Sequence, residues 1–72
     1  MTYYTIEISN RFDNETYRHV NIRNLGFART LAERLSIGER TADVIDQTTG
    51  AVVSTYSNGV PTYMDWDPYA GY

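Results

Sequence analysis

The chain has 72 residues, a formal net charge of −3 and no Cys. A single domain of this length buries only about 60% of its unfolded surface, and without Cys it has neither disulfides nor thiolate metal sites to staple it. A single His and the absence of Lys also exclude a His-rich metal site, Schiff-base chemistry and a phosphate-loop lysine.

Met1 is followed by "TYYTIEISN", which has no basic stretch and no long apolar run. No signal peptide is expected, no segment approaches the ~20 apolar residues of a membrane span, and the expected compartment is the cytoplasm. Alternation then begins. Tyr4, Ile6 and Ile8 fall on one face and Tyr3, Thr5, Glu7 and Ser9 on the other, the pattern of a half-buried strand. "NRFDNE" is a turn centred on Asp13-Asn14. "TYRHVNIR" alternates again, with Val20 and Ile22 on the face of Arg18, and Tyr17, His19, Asn21 and Arg23 opposite. A hairpin pairing 2–10 with 16–23 follows.

Asn24 is a candidate N-cap. Behind it, Leu25, Ala28, Leu31, Ala32 and Leu35 recur at helical spacing, with Arg29, Glu33 and Arg34 mostly on the other side. Gly38 supplies a stop signal, so the spacing predicts a helix over 25–36. Strands are then expected at 41–46 and 51–57, separated by the turn "QTTG". Asn58-Gly59 marks a two-residue hairpin turn that needs positive φ at both positions, and a last strand covers 60–66. Pro61 cannot donate to a ladder, so that strand belongs at a sheet edge.

The order is β-β-α-β-β plus a short edge strand, which predicts a single α+β domain over residues 1–72. Its antiparallel sheet has four to five strands and one helix packed on one face. Ile6, Ile8, Val20, Ile22, Val44 and Val53 are the expected sheet side of the core. The other face is left for solvent or a partner.

No catalytic constellation emerges, and neither an enzyme nor a cofactor is expected. His19 reads as a solvent-facing strand residue. The glycines stand too far apart to cradle a phosphate. Asp65 and Asp67 would share a strand face, but "DWDPYAGY" lacks the ligand density of a calcium loop.

Charge is unevenly placed. Residues 1–40 hold all six Arg against five acids, whereas residues 41–72 hold Asp43, Asp46, Asp65 and Asp67 and no base. Seven Tyr and one Trp accompany them, residue types that bring interface area with a polar handle. The C-terminal segment 62–72 carries Tyr63, Trp66, Tyr69 and Tyr72 at a period of three that fits no regular apolar face, and Pro68 breaks any helix. Tyr63 and Trp66 are expected to pack inward. Asp65, Asp67, Tyr69 and Tyr72 would point outward and, with Asp43, Asp46 and Tyr56, form a candidate protein-binding set. Two alternatives remain open. Arg11, Arg18, Arg23 and Tyr17, with further Tyr on the open sheet face, would suit a small nucleic-acid-binding module, although the acidic balance runs against one. Otherwise the rings cover the sheet's second face or join copies in a homodimer or small homo-oligomeric structural or accessory protein.

The strand pair, the helix "NLGFARTLAERL" and the hairpin "ADVIDQTTGAVVSTYSNG" in a free-standing domain of this size resemble small phage and mobile-element proteins, and among them anti-CRISPR inhibitors. The resemblance implies a non-enzymatic inhibitor acting in the cytoplasm of a bacterial host. It would occupy a functional surface of a Cas protein or surveillance complex, such as a basic nucleic-acid-binding surface, with Asp43, Asp46, Asp65 and Asp67 standing where phosphate binds. The modest net charge leaves interference at a protein–protein or allosteric surface equally open.

Overall fold

The computed structural model describes residues 2–10, 12 and 15–64. The candidate residues Arg11, Asp65, Asp67, Tyr69 and Tyr72, and the expected burial of Trp66, lie outside the described residues. The elements run β1 (Tyr4–Asn10), β2 (Thr16–Ile22), α1 (Leu25–Leu35), β3 (Arg40–Asp46), β4 (Val52–Ser57) and β5 (Val60–Met64). All pairings are antiparallel, in the order β2-β1-β3-β4-β5. The expected α+β architecture is therefore present, with β5 at one edge as Pro61 requires and β2 at the other.

Local chemistry explains the boundaries. Asn24 caps α1 by accepting the Phe27 N–H on Oδ1 at 2.8 Å. The helix ends at Ser36, whose buried hydroxyl donates to the Glu33 carbonyl at 2.7 Å and accepts the Gly59 N–H at 2.8 Å. One side chain thus ties the helix end to the β4–β5 turn. In that turn Asn58 and Gly59 both take positive φ, at 49° and 80°, as a two-residue hairpin demands. A Cβ at Gly59 would also stand 3.1 Å from Ile37 Cγ1, a tight contact to which the exposed Ile37 side chain would have to give way, so the positive φ is the main requirement for glycine there.

The core comprises Ile6, Ile8, Ala28, Ala32, Ala42, Val44 and Tyr56. Ala28 and Ala32 present almost no side chain to Ala42, so the helix can approach the sheet closely. Leu25, Leu31, Leu35, Ile22, Val53 and Tyr4 pack around this centre and are partly buried.

Two expectations about the core are corrected. Val20 is 56% exposed and lies outside the core. The cause is a bulge in β2. Tyr4 pairs with Ile22 but Ile6 pairs with His19, so Val20 and Asn21 together oppose Thr5. Asn21 takes φ 60°, a left-handed conformation that Asn tolerates better than most residues. The extra residue inverts the alternation before it. Tyr17 and His19 therefore share the helix side with their partners Ile8 and Ile6, while Ile22 is returned to the core. The second correction concerns Tyr56, expected at a partner surface but only 4% exposed. It lies in β4 two residues after buried Ser54, on the strand face that meets α1.

Candidate functional site

On the sheet face away from the helix, one register line crosses all five strands. Arg18 in β2 pairs with Glu7 in β1, Glu7 with Asp43 in β3, Asp43 with Thr55 in β4, and Thr55 with Tyr63 in β5. Glu7 and Asp43 are thus directly opposed carboxylates on neighbouring strands, an arrangement that costs stability when uncompensated. Each is held from its outer side. Arg18 reaches Glu7 Oε2 with both Nε and Nη2 at 3.1 Å. Thr55 Oγ1 donates to Asp43 Oδ1 at 2.8 Å. Tyr63 ends the line 50% exposed, on the open face rather than packed inward as its ring suggested.

The other predicted residues distribute differently. Asp46 organises the β3–β4 turn. Its Oδ1 accepts the Thr48 N–H at 2.8 Å and its carbonyl accepts the Gly50 N–H at 2.8 Å. That explains it as a turn residue, and it does not join Asp43 in an acidic cluster. Burial pushes the Tyr56 phenol above its ordinary pKa, the nearby Arg29 charge working in the opposite direction. Arg29, expected on the outer side of the helix, reaches inward and donates from Nε to Ser54 Oγ at 3.0 Å. The described nucleic-acid candidates, Tyr17, Arg18 and Arg23, do not form one patch. Tyr17 and Arg18 are neighbours in β2 and so point to opposite faces. Arg18 is engaged by Glu7, and the Arg23 guanidinium sits 5.7 Å from the centroid of the Tyr3 ring. Tyr17 donates its hydroxyl to Glu15 Oε2.

A second feature lies on the helix side. α1 packs against β3, β1 and β4 and touches little of β2. The uncovered strip is a groove of about 410 Å3 lined by Ile8, Asn10, Tyr17, Arg18, His19, Leu35 and Arg40. Tyr17 is 55% exposed there. The bulge at Asn21 gives this groove its ring and imidazole, by turning Tyr17 and His19 to the helix side.

Sequence reasoning missed the two partners that frame Asp43. Alternation placed Glu7 on the open face, but its position opposite Asp43 depends on the β1–β3 register, and that pairing joins strands separated by two other elements. Among the described residues no three His, Asp or Glu side chains gather as a metal-holding group, and no helix is long and apolar enough to cross a membrane. No protein-family model matches the chain, and no curated protein or solved structure matches it either.

Proposed function

We propose that this chain works as a non-enzymatic protein-binding inhibitor, using the open face of its sheet. The observation that carries the proposal is the opposed Glu7–Asp43 pair at the centre of that face. Two carboxylates side by side weaken a sheet, and the fold retains them by adding Arg18 and Thr55 rather than substituting one. Such a pair on a broad, uncovered surface offers a basic partner two closely spaced acceptors, much as adjacent phosphates do. Tyr63, at the end of the same line, adds ring area.

The target that agrees with this chemistry and with the anti-CRISPR-like organisation is a Cas protein or surveillance complex, engaged at a basic surface. Nucleic acid is the less favoured partner, because Arg18 is neutralised by Glu7 and Arg23 stands over Tyr3, so the cations do not line a backbone path.

The test has two arms. Wild-type protein and Asp43→Arg are used as bait in bacterial lysate, and both are expressed in strains whose CRISPR systems target a reporter plasmid. Wild type is expected to capture a nucleic-acid-handling protein and to protect the plasmid, and Asp43→Arg to lose both. Capture and protection that are unchanged in the variant would refute the role of the open face. Failure to protect against any CRISPR type would remove the Cas target and leave the captured protein to define the partner.

A further inference from the structure

We infer that the outer edge of β2, together with the groove beside it, is a second docking site that takes an extended acidic segment of a partner protein as a sixth strand. The argument starts from the backbone. The Asn10 N–H donates to the Glu15 carbonyl at 3.2 Å. In an antiparallel ladder hydrogen-bonded and non-hydrogen-bonded pairs alternate, so Tyr17 and His19 spend their backbone groups on β1, and Thr16 and Arg18 direct theirs outward. Val20, next in the alternation, opens the bulge. Among the described residues no strand pairs with that outer side. An unpaired row of N–H and C=O groups is a template for strand addition.

The groove supplies what an edge alone lacks, namely a choice of side chain. An added strand extends both faces of the sheet. Side chains on its helix side would enter the groove over Ile8 and Leu35, beside Tyr17 and His19. Side chains on its open side would continue the line that ends at Arg18, whose side chain is still 66% exposed despite its bond to Glu7. Arg40 lines the groove, which no carboxylate lines, and Arg18, shared with Glu7, stands at its open-face margin. Glu15, at the turn end, receives the Tyr17 hydroxyl and does not line the groove. In a chain with nine acids and six bases, a groove whose charged lining on the helix side is Arg40 favours an acidic occupant.

The same charges argue against a second copy. β2 reads TYRHVNI, with no acid. Pairing β2 with itself would bring Arg18 near its own duplicate, and like charges across a strand pair are unfavourable. Nucleic acid is disfavoured because two arginines, one of them neutralised, do not track a phosphate backbone, whereas the amide row suits a peptide.

The probes are an eight-residue peptide alternating valine with glutamate and its lysine counterpart, each titrated to millimolar concentration into 15N-labelled full-length protein. The glutamate peptide is expected to shift the amides of Thr16, Arg18 and Val20 together with His19 and Arg40, and to bind about tenfold more tightly than the lysine peptide. Arg40→Glu should reverse that preference. Thr16→Pro removes one outward N–H from the first residue of β2, so it should weaken both peptides while leaving the spectrum of the folded domain dispersed. Equal binding of the two peptides, shifts confined to β5, or an unaltered affinity in Thr16→Pro would overturn the inference. So would concentration-dependent shifts at these amides without peptide, which would assign the edge to a second copy, or a stronger response to a single-stranded oligonucleotide. Asp43→Arg should leave the peptide titration unchanged, so this site and the open-face function fail separately.

Discussion

The two edges of the sheet are protected by different means. β5 places Pro61 opposite Tyr56 and carries an irregularity between its pairings to Thr55 and Tyr56. Ser57 and Val60 close the two-residue turn as a hydrogen-bonded pair, so the next pair, Tyr56 with Pro61, is non-hydrogen-bonded and the ring nitrogen of Pro61 faces outward. The edge thus lacks a donor where an incoming strand would need one. β2 has no proline, and its bulge falls near the end of the strand. It relies on charge, with Arg18 at its middle. A missing donor rejects every strand, whereas charge rejects only like charge. The difference makes β5 a closed edge and β2 a selective one.

The largest expected effect separates the centre of the sheet from the β2 edge. Ile6 is fully buried between α1 and the sheet, and Val20 is exposed on β2. Ile6→Ala should lower the unfolding free energy by about 3 kcal/mol, while Val20→Ala should change it by less than about 0.5 kcal/mol. Urea denaturation of both variants measures the contrast. Comparable losses would return Val20 to the core and remove the bulge from the account.

Asn21 is where the sequence misled. The elements themselves were legible to within about two residues, because alternation, the helical stripe of Leu25, Ala28, Leu31, Ala32 and Leu35, the Asn58-Gly59 turn and Pro61 each report a local preference, and these preferences agree with the fold. Alternation in β2 is equally clear, but it presumes an unbroken strand. A bulge costs only one extra residue, and it leaves no mark on composition. The single available signal was an Asn at a position that had to adopt positive φ. Tyr56 was misplaced for a different reason. Tyrosine was weighed as an interface residue, yet its place two after Ser54 in β4 put it on the helix side. The Glu7–Asp43 opposition needed the register of two strands distant in sequence, which no local pattern encodes.

A moderate effect follows from that bulge. Asn21→Val forces a β-branched side chain into the left-handed region and should cost about 1–2 kcal/mol, whereas Asn21→Gly should be tolerated within about 0.5 kcal/mol. If the Val variant were as stable as the Gly variant, the positive φ would carry no weight. Its amide spectrum sharpens the comparison further. A slip of β2 to regular pairing would move Tyr17 and His19 to the open face, and the groove would lose two of its lining side chains.

Tyr56 offers a pH-dependent measure of burial in the β4 core. Its phenol is held neutral by burial, so its folded pKa lies above the unfolded value of about 10. Between the two values the folded state keeps a proton that the unfolded chain releases. The contribution is therefore intact below about pH 10 and is lost as pH rises through the folded pKa, at no more than about 1.4 kcal/mol per pH unit. Tyr56→Phe should flatten the fall in urea midpoint between pH 9 and 11, at the loss of the hydroxyl contact to Met64 Sδ at 3.7 Å. Identical slopes in wild type and Tyr56→Phe would place the ionising ring elsewhere.

The smallest effect on stability is the most direct trial of the two edges. Pro61→Val restores an outward N–H on β5 and should alter the unfolding free energy by less than about 1 kcal/mol, because the ring nitrogen spends no ladder bond within the sheet. Its consequence should appear in solution. β5 reads VPTYM and carries no charge, so once its donor is restored nothing on the strand opposes pairing with a second copy. Light scattering across a concentration series should show Pro61→Val associating where wild type does not. Arg18→Val makes the opposite trial on β2, since it removes a charge while leaving every backbone group in place. If Pro61→Val stays as monodisperse as wild type and Arg18→Val associates, charge and not the missing donor is the stronger guard. β5, which carries no charge, would then be guarded by its irregular pairing rather than by Pro61.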